Sequence, residues 1–124
     1  MGRIAVLISG QLRNWKIALD SQKWFYNTSG MEVDYFVHTW NYSMDRPSVS
    51  APYNSRAVEP QEYLEFCEAY KPKKALFDDK TPDFFYANDH WSSLFYSFVQ
   101  TVLLKRQYEL ENNIEYEAVF KTRP

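Results

Sequence analysis

Ile4-Ala5-Val6-Leu7-Ile8-Ser9-Gly10 is the stretch whose reading decides the fold. Its apolar residues run without a polar break and stop at Ser-Gly. A strand wetted on one face alternates apolar and polar side chains. An unbroken run this short is instead a strand covered on both faces, which means a parallel strand between helical layers. Working outward, Asn14 is placed to cap a helix from Trp15 to about Tyr26, ended by Ser29-Gly30. Val33 to Trp40 follows, rich in β-branched and aromatic residues, and reads as a second strand. A helical connection between two such strands makes them parallel neighbours.

From Asn41 to Val58 the pattern dissolves into Pro47, Ser48, Ser50, Pro52, Asn54 and Ser55, and an irregular loop is expected. Glu59-Pro60 opens a helix that runs to about Tyr70 and stops before Pro72. Lys74 to Asp79 is a short third strand, and Thr81-Pro82-Asp83 turns the chain. Trp91 to Asn112 is the longest helix, with Ser92 as its cap. Leu94, Phe95, Phe98, Val99, Val102 and Leu103 are its expected buried face, and Ser97 and Gln100 face either the crevice or, more simply, solvent. Tyr116 to Lys121 is the fourth strand. The expectation is one α/β domain over residues 1–124. It is a three-layer α/β/α, Rossmann-like half with a mostly parallel four-stranded sheet in the order 3-2-1-4.

Composition narrows the function classes. With 14 basic and 16 acidic residues the net charge is −2, which offers no basic field for a nucleic acid. No apolar run approaches a membrane span, and Ile4 to Ile8 is too short for a signal-peptide core. A lone cysteine, Cys67, sits in a helical run and reads as a buried structural thiol. A cytoplasmic protein with no membrane partner is therefore expected. Three glycines among 124 residues, without GxGxxG or GxxxxGK[ST], exclude the glycine-rich phosphate loops.

In a 3-2-1-4 sheet the ligand crevice opens at the carboxyl ends of strands one and four. Ser9, Gly10 and Arg13 fall there, followed by a helix whose first N–H groups suit an anion. The competing reading is a plain turn and helix cap. Lys121-Thr122-Arg123 leave strand four at the same point, either gripping a diphosphate or fraying as a tail. His38 and Trp40 end strand two, either lining a base or sugar pocket or serving the core. Asp78-Asp79 ends the edge strand and reads as a solvated turn. His38 and His90 lack metal-ligand spacing.

Ile8 to Asn14, Asp34 to Asn41, the helix Ser93 to Glu109 and Tyr116 to Pro124 together resemble a group of GT-A-type glycosyltransferase-like proteins of marine bacteria, their phages and metagenomes. The resemblance spans nearly the whole chain. It implies a nucleotide-diphospho-sugar partner held by Ser9, Gly10, Arg13, His38, Trp40 and Arg123. It also implies an acidic metal-binding motif after strand four, where an Arg-Pro pair is followed by an acidic residue. This chain stops at Pro124, so a C-terminally truncated portion is expected. Mn or Mg is then expected only if that motif is present, and no cofactor or catalytic residue is assigned within these residues. Strand four, apolar on both faces, would be an open edge, and a homodimer is expected from it.

Overall fold

The computed structural model describes residues 2–12, 15–45, 54–79 and 90–124. Arg13, Asn14, Pro47, Ser48, Ser50, Pro52 and the Thr81-Pro82-Asp83 turn lie outside the described residues. In chain order the elements are β1 (Arg3–Gly10), α1 (Trp15–Asn27), β2 (Glu32–Trp40), β3 (Tyr42–Asp45), β4 (Asn54–Ala57), α2 (Pro60–Tyr70), β5 (Lys74–Asp78), α3 (His90–Asn112) and β6 (Ala118–Thr122). One four-stranded sheet has the order β5-β2-β1-β6, with every pairing parallel. This is the 3-2-1-4 arrangement, since β5 and β6 are the third and fourth apolar strands of the sequence.

The two faces of β1 explain the layers. Ile4, Val6 and Ile8 join Trp15, Tyr26, Phe66 and Tyr70 in one core, so α1 and α2 cover that face. Ala5 and Leu7 join Phe36, Phe98, Val102, Leu104 and Tyr108 in the other, so α3 covers the opposite face. Alternation along a strand makes these opposite sides, and both are dry, which is why the run needs no polar residue. Aromatic edge-to-face contacts fill the first core: Trp15 on Phe66 at 5.2 Å and Tyr35 on Tyr70 at 5.2 Å.

At the amino end of the sheet Asp34 is buried and accepts from Arg3 Nη1 at 2.9 Å and from Tyr116 Oη at 2.8 Å. That cluster ties β1, β2 and the segment entering β6. Helix α2 ends where Lys71 takes a left-handed φ of 50° and its N–H donates to Cys67 O at 2.7 Å. Cys67 is half-buried rather than buried, and burial pushes its thiol up, against the opposing influence of a hydrogen bond with Tyr63.

Three expectations are corrected. The stretch 41–58 is not wholly irregular, because β3 and β4 pair antiparallel, Tyr42 with Ala57 and Asp45 with Asn54. Asn-Ser-Arg-Ala has no strand signature of its own, so only pairing makes it one. Helix α3 begins at His90, so Ser92 lies inside the first turn rather than at the cap. Its inward side is only in part the expected one: Phe98 and Val102 pack against the sheet as expected. Ser97 and Thr101 are fully buried, whereas Phe95 and Leu103 are 69% and 54% exposed. Apolar residues surround this helix, and small residues at i and i+4 let it approach the bulky side chains of β2.

Candidate functional site

The carboxyl ends of β1 and β6 lie side by side, with Ile8 opposite Thr122. Gly10 closes β1 with φ +128°, a conformation that side-chain-bearing residues rarely adopt. A Cβ placed there would stand 3.7 Å from Pro124 Cδ, an ordinary contact. The turn after β1 and the residues after β6 therefore meet over the same gap. Arg123 O accepts from Gln22 Nε2 at 3.0 Å, which ties this segment to α1. On the other side, Gln11 Nε2 donates to Tyr42 Oη at 3.2 Å, so the first residue of the β3–β4 hairpin reaches the β1 turn.

Charge is divided along this edge. Lys121 and Arg123 stand at the β6 border, and Asp78 and Asp79 at the β5 border, with β1 and β2 between. An anion is favoured at the β1–β6 gap and disfavoured at β5. Thr39, opposite Gly10 in register, is fully buried, and its Oγ1 has no hydrogen-bond partner among the described residues.

His38 organises the α3 side of the same edge. It is fully buried, its Nδ1 2.7 Å from Ser97 Oγ and its Nε2 3.1 Å from Asp78 Oδ2. Tyr96 Oη donates to the same carboxylate oxygen at 3.3 Å. Trp40 and Tyr96 stack at 5.6 Å, and the imidazole meets each ring edge-on, at 4.9 Å and 5.7 Å. A carboxylate only accepts, so Nε2 carries the proton toward Asp78 and Nδ1 accepts from the Ser97 hydroxyl. Burial holds the imidazole below its ordinary value, and the Asp78 carboxylate opposes that only in part.

An aspartate, histidine and serine in a row invite comparison with a nucleophilic triad. Exposure decides against it. Ser97 is 0% exposed on the inner face of α3, so no substrate carbonyl reaches its oxygen. Ser97 Oγ has one proton to give, and the His38 carbonyl at 3.3 Å is the other acceptor within its reach.

Of the residues singled out from sequence, Ser9 and Gly10 end β1 and Arg123 follows β6, so all three come together. Arg13 lies outside the described residues. His38 and Trp40 sit nearby but are buried, 0% and 3% exposed, and both His38 ring nitrogens are engaged within the chain. Two readings are overturned. Asp78 is not a solvated turn, and Ser97 is not on a solvent face. The register carries the missed signal: β2 pairs with β5 so that His38 faces Leu76 and Trp40 faces Asp78, which brings the carboxylate over the imidazole. Asp79 remains exposed and accepts from Asn41 Nδ2.

Among the described residues no three His, Cys, Asp or Glu side chains gather as metal ligands, and no helix is long and apolar enough to cross a membrane. Comparison with family models, with curated proteins and with solved structures finds no match.

Proposed function

We propose that this chain is the nucleotide-binding half of a GT-A-like glycosyltransferase and holds the diphosphate of a nucleotide-sugar at the carboxyl ends of β1 and β6. The observation that carries the reading is the meeting of the Ser9-Gly10-Gln11 turn with Thr122-Arg123-Pro124 at the point where the sheet order reverses. Ligands of open α/β sheets bind at such a point. Gly10 lets backbone come close to the diphosphate, and Arg13 and Arg123 supply charge-assisted contacts. His38, closed off by Ser97 and Asp78, braces the floor of the crevice rather than touching the sugar.

In a complete enzyme a divalent ion, Mn²⁺ or Mg²⁺, would neutralise the leaving diphosphate. The described residues offer it no cluster of ligands. A second reading is a binding module without turnover. It is favoured by the engagement of Asp78, an acid at this edge, with His38 and Tyr96.

Titration calorimetry with UDP-, GDP- and CDP-sugars, with and without Mn²⁺, tests both. One of them is expected to bind. Arg13→Ala and Arg123→Ala should each weaken binding roughly tenfold or more, the effect of losing about 1.5–3 kcal/mol of charge-assisted hydrogen bonding. Failure of all three donors to bind, or binding indifferent to both substitutions, would refute the site. Binding without sugar transfer or donor hydrolysis would select the second reading.

A further inference from the structure

We infer that Gln22 of α1 is a positioning residue for the nucleotide-sugar site proposed above: it fixes the course of the chain at Arg123, and through it the affinity for the donor. This role rests on that reading of the site. Gln22 Nε2 donates to Arg123 O at 3.0 Å, and its other amide atom, Oε1, accepts from Tyr70 Oη at 3.0 Å. One side chain thus joins α1, α2 and the segment that follows β6.

The amide serves both partners in one orientation only. A carbonyl only accepts, so Arg123 O must face the NH₂ end, which leaves Oε1 for a donor. Tyr70 is that donor, and it keeps its proton because burial pushes its hydroxyl up to about 12. Its ring has little freedom to turn aside, being buried with its centre 5.2 Å from that of Tyr35 and 4.8 Å from that of Phe66. Lys23 Nζ donates to Ala69 O at 3.0 Å and holds the same two helices together. The core therefore sets Tyr70, Tyr70 sets the Gln22 amide, and the amide sets the Arg123 carbonyl.

Helix α1 is aligned for this task. Gln22 and Tyr26 are four apart and share a helix face. Tyr26 packs on Phe120 at 5.7 Å, while Gln22 reaches Arg123. Pairing of β6 with β1 ends at Thr122, opposite Ile8, so the Gln22 bond takes over where the sheet ladder stops. An arginine whose backbone is held before a ligand arrives costs less entropy to order on binding.

NMR relaxation of the ligand-free protein and titration calorimetry with UDP-, GDP- and CDP-sugars test this in separate steps. The Arg123 amide of wild type is expected to be as rigid as that of Phe120. In Gln22→Met, which keeps the side chain's length and loses both bonds, it should become mobile. Gln22→Met should also weaken the donor that wild type binds roughly threefold to tenfold, the effect of one neutral hydrogen bond. Tyr70→Phe should weaken it by less and add nothing in the Gln22→Met background, because it acts only through the amide. Circular dichroism checks that each variant is folded. An Arg123 amide equally rigid in wild type and Gln22→Met, an unchanged affinity, or losses that add would overturn the positioning role. Failure of wild type to bind any of the three donors refutes the proposed function instead, and the positioning role falls with it.

Discussion

Acidification should destabilise this protein through His38 before its carboxylates are reached. The imidazole is fully buried, accepts from Ser97 at 2.7 Å and donates to Asp78 at 3.1 Å. Burial lowers its proton affinity in the folded state, and Asp78 offsets that incompletely. A base whose folded value is depressed adds stability above its unfolded value, and that stability is lost as the pH falls toward the folded value. The window therefore opens at about pH 6.5, where a free imidazole titrates. Below it the unfolded chain binds a proton that the folded chain refuses, and the unfolding free energy falls by at most about 1.4 kcal/mol per pH unit. Urea unfolding from about pH 7.5 to about pH 5, an interval bracketing the free imidazole, reads the slope. His38→Gln should be flatter than wild type across it. His90 is present in both proteins and cancels in the difference. Asp78→Asn, which can still accept from Nε2, removes the opposing charge and should carry the loss to lower pH. Parallel curves for wild type and His38→Gln would refute the reasoning, because they would mean that His38 takes up its proton equally well in both states.

Two further outcomes are expected from other parts of the molecule. Tyr116→Phe deletes a donor to the buried Asp34 carboxylate, 2.8 Å away, and should cost about 1.5–3 kcal/mol in urea unfolding, as loss of a hydrogen bond to a charged group does; a change below about 0.5 kcal/mol would show that Arg3 alone satisfies Asp34. Gly10→Ala meets no clash, since Pro124 Cδ would stand at 3.7 Å, yet φ +128° is strained for alanine; a loss of about 1–3 kcal/mol is expected, and a neutral result would mean that the turn relaxes freely.

The sheet was legible because each of its strands announces itself locally. Ile4 to Ile8 has no polar break, Val33 to Trp40 is β-branched and aromatic, and helices between strands force parallel pairing. Pro60 marked the start of α2 to the residue. What escaped depended on partners far along the chain. Asn54–Ala57 is a strand only because Tyr42–Asp45 pairs with it. Around α3 apolar residues lie on several sides, and the sheet took Phe98 and Val102 together with Ser97, whose hydroxyl meets the His38 ring.

The sequence by itself determined the layers and the strand order, since both follow from patterns with a range of a few residues. Tertiary structure alone decided what His38, Asp78 and Ser97 do. A polar side chain reads the same in sequence whether it meets water or another side chain. Here β2–β5 register and the packing of α3 bring residues 40 and 59 positions from His38 within hydrogen-bonding distance of its ring. Closing an imidazole among such partners, away from water, makes it a brace between β2, β5 and α3 rather than a group free to react.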